Sequence, residues 1–312
     1  MIKNLSRLKD ALRKCRGTWA WVGQRGIDAL TVLDFVPVDA GFCCDFGVAY
    51  SGVFREESLF SVEKDRGRRE NWGNKDLEML WEAPTRKRIE TYIGGVKGPI
   101  NTVCYRSLEV LEKDRRFRVL AAPLMLKDLF DDKLRQLELF SMLGVKTPTT
   151  FVCPLNETTF AKAIDIFNGP LVVHPPVGSS GENTYFVNHE IDFDRVKDVL
   201  DPEQRVKLSK YLPVPSLNGH CVVLKTNGGL RSIAACPSVQ IVGAHGCTSR
   251  AAVYCGNDFS AAGRVPKSIR EEICTIMEKV GLFMGTEGFL GLFGMDFLLN
   301  GNEVLALEIN PR

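Results

Sequence analysis

The sequence predicts a mixed α and β fold in two segments that divide near residue 125. Short runs rich in β-branched and aromatic residues predict strands, as at residues 30–36 and 102–105. Apolar residues at helical spacing, bounded by capping residues, predict helices. Asn-Gly sequences between apolar runs predict β-hairpins. A chain of 312 residues is long enough for one large domain or two to three ordinary ones.

Composition narrows the class of protein. Hydrophobic residues make up 45% of the chain and charged residues 25%, as in soluble globular proteins. The net charge is +2, and Lys and Arg are scattered without interleaved aromatic residues, so we expect no nucleic-acid partner. Residues 1–14 lack the continuous apolar core of a signal peptide. No run of about 18 apolar residues occurs, so we also expect no membrane span.

The cysteines favour a reducing compartment. All ten are dispersed without a CxxC pair, and with only four histidines no zinc spacing appears. Several lie in apolar runs and are interpreted as small core residues. We therefore expect reduced thiols and a cytoplasmic location.

In the first segment, residues 63–75 are polar and punctuated by glycine, which predicts a long surface loop. Residues 76–92 have helical character that is broken or begun at Pro84. In the second segment, Asp131 or Asp132 is predicted to cap a helix that runs to about Leu143, and Thr158 to cap another that closes at Gly169.

Hairpins dominate the rest of the second segment. Strands at 171–174 and 184–187 flank a loop of small residues, which predicts a β-hairpin with a flexible tip. Residues 221–224 and 230–235 bracket an Asn-Gly-Gly turn and predict a second hairpin. Pro266 marks the start of a helix with apolar residues at helical spacing. Residues 291–299 and 303–309 predict the last hairpin.

The last hairpin carries the most informative polar residues. Asp296 lies on one strand, and Glu308 and Asn310 lie on the other, all on the face opposite a row of large apolar side chains. That arrangement requires a three-residue loop at 300–302, which pairs Asp296 with Ala306 and makes Glu308 a diagonal neighbour about 7–8 Å away.

Two carboxylates and an amide on one face favour a cation between them, because unpaired buried carboxylates are costly. The alternative is a buried, hydrogen-bonded Asp296 and a solvent-facing Glu308. That alternative explains one acid well but leaves the shared face of three polar groups without a reason.

The strand Gly-Met-Asp-Phe-Leu, followed by Leu-Glu-Ile-Asn-Pro-Arg, resembles the metal-binding end of the ATP-grasp superfamily in sequence and spacing. The resemblance implies an α/β domain over 1–125 and a two-lobed α+β ATP-grasp fold over 126–312. One lobe would cover about 150–212 and the metal-binding lobe about 213–312. It implies magnesium, with manganese as an alternative, at Asp296, Glu308 and Asn310, and a catalytic Arg312 on the transferring phosphoryl group.

Further residues fall in the superfamily's order. Lys133, at the start of a helix, resembles the first lysine that contacts phosphate, and it is implied to be both ATP-binding and catalytic. The strand ending at His174 and its loop resemble the glycine-rich loop over the ATP phosphates, and residues 209–212 resemble the hinge that holds adenine. The ATP-binding residues implied in this way are Lys133, His174, Gly178, Ser179, Ser180, Gly181, Lys210, Tyr211 and Leu212.

The sequence departs from the superfamily at three places. His174 stands where a second lysine is usual, so we expect weaker or more pH-dependent ATP binding, although a nearby anion raises a histidine pKa. Ser209 replaces an acidic residue before the hinge. The chain stops at Arg312, where members normally continue, so we expect a C-terminally truncated fragment.

The resemblance implies an ATP- and Mg-dependent ligase of the peptide-ligase or carbamoyl-phosphate-synthetase-like branch, which activates a carboxylate as an acyl phosphate for attack by an amine. Small-molecule substrates such as amino acids or peptides are expected, with homo-oligomerisation left open. Residues 237–240 and 254–259 are candidates for the substrate side, with turn chemistry the equal alternative. The competing hypothesis is a nucleotide-binding module, regulatory or inactive, without turnover. A dinucleotide-dependent oxidoreductase is set aside because its glycine fingerprint is missing.

Overall fold

The computed structural model describes residues 17–23, 38–44, 54, 56–66, 74–104, 107–178, 183–226, 228–249 and 253–311. The chain divides into an N-terminal unit within residues 1–124 and a C-terminal unit of residues 125–311. The strand predicted at residues 30–36 lies outside the described residues.

The described part of the N-terminal unit contains a five-stranded sheet in the order β3-β2-β1-β4-β5, and all of its pairings are parallel. Parallel strands joined by helices bury both faces of the sheet, which matches the predicted α/β character. The strands are β1 (Thr18–Gly23), β2 (Ala40–Cys43), β3 (Leu59–Ser61), β4 (Ile100–Cys104) and β5 (Phe117–Leu120), and the helices are α1 (Val62–Arg66), α2 (Thr85–Gly95) and α3 (Glu109–Lys113).

The surface loop predicted over residues 63–75 is wrong where the structure describes it. Helix α1 covers its start and a 3-10 helix, Asn74–Trp81, covers its end. Helix α1 forms because Val62 is buried, while its acidic residues lie in the first turn and its basic residues in the last turn. The helical prediction for residues 76–92 is confirmed, since α2 begins directly after Pro84. The strand predicted at 102–105 is confirmed as β4 through Cys104.

The C-terminal unit begins with helices α4 (Leu124–Asp131) and α5 (Lys133–Met142). Its next described strands form a four-stranded antiparallel sheet in the order β6-β9-β7-β8. The members are β6 (Thr150–Pro154), β7 (Leu171–His174), β8 (Tyr185–Val187) and β9 (Arg205–Lys210), covered by α6 (Phe160–Phe167) and α7 (Glu190–Val199). Their core includes Phe167, Leu171, Val173, Phe193 and Leu208.

The predicted hairpin of 171–174 and 184–187 is confirmed as β7 and β8. The capping residue predicted for the helix that follows β6 is wrong by one position. Thr159 caps α6, because its hydroxyl oxygen accepts the Lys162 N–H at 3.2 Å. Thr158 is buried instead, and its carbonyl oxygen accepts a hydrogen bond from Lys197.

The remaining described strands form a six-stranded antiparallel sheet with the path β13-β12-β10-β14-β15, and β11 also pairs with β10. The strands are β10 (Ser216–Thr226), β11 (Gly229–Ala234), β12 (Ser238–Val242), β13 (Tyr254–Asp258), β14 (Gly291–Asn300) and β15 (Glu303–Pro311). Helix α8 (Lys267–Thr286) packs on β10 and β11, with Gly281 so close that an added Cβ would overlap the Ser232 hydroxyl. The hairpins predicted around residues 227–229 and 300–302 and the helix predicted after Pro266 are confirmed.

None of the described helices combines the length and apolar character that crossing a bilayer requires.

Candidate functional site

Strands β14 and β15 form the predicted hairpin, but the predicted register is wrong. Asn300 pairs with Glu303, so the turn holds two residues, Gly301 and Asn302, rather than three. Gly301 has φ +61, a left-handed conformation that glycine adopts without strain and that tight hairpin turns need. Matching of the apolar faces in a regular hairpin favours a three-residue loop, but a tighter turn meets the same matching when one strand carries an extra residue.

The extra residue forms a β-bulge beside the acidic residues. The register shifts between Asp296 and Phe297, which makes Leu307 the extra residue on β15. Asp296 therefore pairs with Glu308 directly, rather than with Ala306 as predicted, and Gly294 pairs with Asn310. The two carboxylates are thus direct cross-strand neighbours, and the prediction that both share a face with the Asn310 amide is confirmed.

Asp296 is the centre of a hydrogen-bond network of amides. Its Oδ1 accepts hydrogen bonds from Asn218, directly opposite on β10, and from Gln240 Nε2 at 2.9 Å. Its Oδ2 accepts from Asn310 Nδ2 at 3.1 Å. Burial, followed by the negative charge of Glu308, raises the pKa of Asp296 to about 7. The acidic pair therefore favours a positive charge, either a proton or a cation, between its members.

Glu308 has a different partner. Burial raises its pKa, but the ammonium of Lys133, 2.9 Å from Glu308 Oε2, outweighs that effect and holds the pKa of Glu308 below its usual range. The same Lys133 Nζ donates to the Gly178 carbonyl at 3.0 Å. One buried lysine therefore joins the acidic hairpin to the small-residue loop between β7 and β8.

Helix α5 positions Lys133 through its first turn. Of the two capping residues predicted, Asp132 rather than Asp131 caps the helix, accepting the Leu134 N–H at 2.8 Å and the Arg135 N–H at 3.3 Å. The Lys133 N–H donates to the Pro176 carbonyl at 2.9 Å, so the loop also caps the helix start. Lys133 is itself 6% exposed, which leaves its side chain little freedom.

One turn further along α5, Gln136 binds strand β15 through both of its amide atoms. Its Nε2 donates to the Ile309 carbonyl at 2.8 Å, and its Oε1 accepts the Ile309 N–H at 3.0 Å. The Nε2 also donates to the Phe130 carbonyl at 2.8 Å. Ile309 lies between Glu308 and Asn310, so Gln136 positions both. Gln136 is absent from the predicted site residues, although its place between Lys133 and Leu139 on the buried stripe of the helix is a signal in the sequence.

The glycine-rich loop is described only in part. Gly178 lies where predicted, at the tip of the hairpin, and an added Cβ would lie 2.9 Å from the Asn183 Cβ. Its carbonyl contacts Lys133. The other predicted loop residues, Ser179, Ser180 and Gly181, lie outside the described residues.

His174 ends β7 and pairs across the sheet with Lys207 on β9. Burial lowers the pKa of His174 to about 3, and Lys207 and Lys133 lower it further than Glu308 raises it. Its Nδ1 has no hydrogen-bond partner among the described residues. In its protein surroundings the imidazole is therefore neutral at physiological pH and adds no positive charge to the site.

Lys207 was missed by the sequence analysis. It is 4% exposed, and its Nζ donates to the carbonyl of Leu307, the bulge residue, at 2.9 Å. Burial lowers the pKa of Lys207 to about 8. The strand alternates between polar residues and the apolar Val206 and Leu208, so Lys207 looks like a solvent-facing residue and the sequence carries no signal of its burial.

The predicted hinge follows β9. The Lys210 N–H donates to the Thr149 carbonyl at 2.9 Å and the Tyr211 N–H to the Pro170 carbonyl at 2.9 Å. The Tyr211 ring packs edge-on against Phe186 with ring centroids 5.2 Å apart. These contacts hold the segment in place and leave Leu212 with an N–H that has no partner among the described residues.

The two segments proposed for the substrate side lie on β12 and β13. Residues 237–240 end at Gln240, whose amide contacts Asp296 rather than open space. Tyr254–Asp258 pairs with β12, and Tyr254 is half-exposed. Sequence reasoning thus singled out Gln240, while its contact with the acidic pair and the parallel role of Asn218 depend on strand order.

The donor set at the hairpin fits magnesium or manganese. Both ions prefer oxygen ligands, and the site offers two carboxylates together with the amide oxygens of Asn218 and Asn310. Asn218 Oδ1 is buried without a partner among the described residues, as a waiting ligand atom would be. The described residues contain no group of three or more His, Cys, Asp and Glu that could hold a metal, so amide or water oxygens would complete the coordination.

Known proteins are similar in sequence to the part of the chain that contains this site. A family model for the ATP-grasp domain matches residues 130–312. A D-alanine–D-alanine ligase from Desulforudis audaxviator is 26% identical over 184 residues, which are 57% of this chain and 57% of that protein. The large chain of carbamoyl phosphate synthase from Campylobacter jejuni is 26% identical over 186 residues, which are 59% of this chain and 16% of that protein. The chain therefore spans little more than half of one curated relative and a small part of the other.

Solved structures share the fold. A biotin carboxylase from Campylobacter jejuni, in a β-γ-ATP complex, has a TM-score of 0.66 at 14% identity, covering 97% of this chain and 66% of that one. An N5-carboxyaminoimidazole synthetase from Staphylococcus aureus, complexed with ADP, has a TM-score of 0.59 at 14% identity, covering 96% of this chain and 71% of that one.

The fold is therefore the predicted one, an N-terminal α/β region followed by the antiparallel lobes of ATP-grasp enzymes. The family match begins just before Lys133 and includes the acidic hairpin. Because the match covers more than half of the chain, this protein belongs to the ATP-grasp family.

Proposed function

We propose that this chain is an ATP-dependent ligase, which phosphorylates a substrate carboxylate and joins the resulting acyl phosphate to an amine. The observation that carries the proposal is the contact of Glu308 with Lys133 beside Asp296. That arrangement places an ammonium and a candidate cation site next to each other, which suits a bound polyphosphate.

ATP fits this arrangement in two parts. Its phosphates lie at Lys133 and at the loop around Gly178, which the Lys133 side chain already contacts. Adenine lies at the hinge, where the Leu212 N–H, without a partner among the described residues, can donate to a ring nitrogen. Because Lys210 and Tyr211 are held by their own backbone hydrogen bonds, the hinge is preorganised for that contact.

The reaction transfers a phosphoryl group and then an acyl group. A carboxylate oxygen attacks the γ-phosphorus and ADP departs. The amine nitrogen then attacks the acyl carbon, phosphate departs, and the amine loses a proton. Magnesium held by Asp296, Glu308 and Asn310 neutralises phosphate charge when bound. Lys133 orients the phosphates, and we propose that Arg312, which lies outside the described residues, stabilises the transferring phosphoryl group.

The substrate class follows from relatives only in outline. The named D-alanine–D-alanine ligase acts on an amino acid, and we propose a small carboxylate and a small amine of that kind here. A cytoplasmic location and the absence of a nucleic-acid partner remain proposals from composition.

The test measures ADP and phosphate release from Mg–ATP with mixtures of amino acids and other small carboxylates and amines. We expect substrate-dependent release by the parent chain and a loss of about 100-fold or more in activity for Glu308→Gln. Replacing a residue that only supports a metal ligand already costs about 10–100-fold in activity, and Glu308 is proposed to be a ligand itself. The control is Glu303→Gln on the same strand, whose carboxylate instead pairs with the exposed Lys146. We expect it to retain parent activity.

Nucleotide binding, measured separately by calorimetry, discriminates between the two hypotheses. Binding without release in any mixture would contradict the ligase and support a nucleotide-binding module without turnover. Equal release by parent and Glu308→Gln would contradict the assignment of the acidic hairpin as the reaction site.

A further inference from the structure

Lys207 is a buried cation that the proposed reaction does not yet use. It lies in the middle of β9, directly opposite His174 on β7, so both side chains lie on the same face of the four-stranded sheet. Its Nζ reaches the carbonyl of Leu307, the residue before Glu308, at 2.9 Å. The side chain therefore crosses from the four-stranded sheet to the acidic hairpin.

Lys207 lies near a second ammonium, that of Lys133, and has no carboxylate of its own to pair with among the described residues. Lys207, Lys133 and Glu308 all act electrostatically on His174, so the four groups share one region. The carboxylate of Glu308 forms its ion pair with Lys133, at 2.9 Å. Glu308 is the one carboxylate that acts on Lys207, and it is already ion-paired with Lys133, while its neighbour Asp296 is held by amides.

Most of the hydrogen-bond donors of Lys207 also lack a partner among the described residues. An ammonium has three donors, and among the described residues Lys207 uses one, to a neutral carbonyl. A buried charge with so few partners is costly unless something else pairs with it. A group with several anionic oxygens would take up the spare donors of Lys207 and those of Lys133 together.

We propose that Lys207 is a phosphate-binding residue, whose ammonium joins that of Lys133 on the polyphosphate of the bound nucleotide. This rests on the proposed nucleotide site. The positive charge that His174 does not provide is supplied by its partner on the neighbouring strand, at the same cross-strand position.

The experiment compares the affinities of AMP, ADP and ATP, each with magnesium, for the parent chain and for Lys207→Met. We expect ATP affinity to fall by about 10–100-fold in Lys207→Met, as for the loss of one hydrogen bond to a charged group. AMP affinity should fall by much less, because AMP lacks the phosphates that Lys207 contacts. A purely structural role would weaken all three nucleotides alike.

A second variant moves the charge across the sheet. In the double variant His174→Lys, Lys207→Met, the lysine stands on β7 instead of β9, and we expect ATP affinity to recover most of the loss. Lys197→Met is the matched control: Lys197 also donates to a carbonyl, that of Thr158, in the same lobe but away from the site. We expect it to bind all three nucleotides as the parent does.

Two results would overturn the inference. One is a Lys207→Met variant that keeps parent affinity for ATP. The other is an equal loss for AMP, ADP and ATP that the relocated lysine does not repair. If the parent itself binds no nucleotide, the proposed function fails as well, and the two failures are thereby distinguished.

Discussion

The two ends of the candidate site bury ionisable groups in contrasting ways. At the acidic end, Asp296 accepts hydrogen bonds from three amides, and Gln136 holds the neighbouring strand from behind. At the basic end, Lys207 donates to one carbonyl, and His174 Nδ1 has no partner among the described residues. At the acidic end both oxygens of Asp296 have protein donors, although Asn218 Oδ1 lacks a partner among the described residues, whereas at the basic end Lys207 has donors to spare.

The contrast indicates how the site divides its work. A carboxylate held by three amides keeps one geometry before any ligand arrives, which is the preorganisation that cation binding needs. A buried ammonium with one partner is unfavourable on its own and becomes favourable when an anion binds. Stability and binding are therefore expected to oppose each other at the basic end only.

The largest effect is expected from breaking the acidic end at Gln136. In Gln136→Leu the N–H and C=O of Ile309 and the C=O of Phe130 lose their partner, so we expect a loss of about 2–4 kcal/mol in the free energy of unfolding. Urea denaturation measures it. Glu138→Leu, on the exposed face of the same helix, is the control and should change stability by less than about 0.5 kcal/mol. Equal stability of the two variants would contradict the positioning role of Gln136.

The basic end should respond in the opposite direction. The folded pKa of Lys207, about 8, lies below its usual 10.5, so its charged form destabilises the fold at neutral pH. We expect Lys207→Met to gain about 1–3 kcal/mol at pH 7. The penalty is fully present below pH 8 and fades as pH rises towards 10.5, so the gain should shrink between pH 8 and pH 10. Chemical denaturation at the two pH values tests this, and a destabilised variant at pH 7 would contradict it.

The smallest effect concerns His174. Its pKa falls from 6.5 to about 3 on folding. The contribution of the neutral ring to the free energy of unfolding is therefore fully present above pH 6.5 and is lost as the pH falls towards 3. Because the residue as a whole is partly exposed although its Nδ1 is buried, we expect a loss of about 1 kcal/mol by pH 5 in the parent, relative to His174→Phe. The raised pKa of Asp296 makes its own contribution to stability change with pH in the opposite direction. Both proteins contain Asp296, so subtracting the variant's stability from the parent's removes that contribution. Identical pH profiles would show that His174 is not held neutral.

What the sequence predicts correctly at this site is local. The Asp132 cap, the start of helix α5 at Lys133 and the alternation along β14 and β15 depend on residues a few positions apart. Lys133 and the acidic pair could be found because each lies in a short, regular pattern. The role of each predicted residue in ATP or metal binding remains a prediction.

What the sequence does not predict depends on distant strands. The bulge at Leu307 is accompanied by contacts from three places: Lys207 bonds its carbonyl, Lys146 bonds Ala306, and Gln136 bonds Ile309. Hairpin pattern alone favours a longer loop, because it contains none of these contacts. Lys207 likewise looks like an ordinary solvent-facing residue of an alternating strand until its pairing with His174 is known.

The hydrogen bonds between Gln136 and Ile309 also affect how exposed the edge of the sheet is to other chains. Strand β15 ends the path of its sheet, and a free strand edge can template pairing with another chain. Gln136 satisfies both outward backbone groups of Ile309, and the Lys146 carbonyl satisfies the N–H of Ala306. The contacts that position the acidic residues thus also occupy these outward backbone groups, and we expect them to disfavour edge-to-edge pairing at this part of the strand.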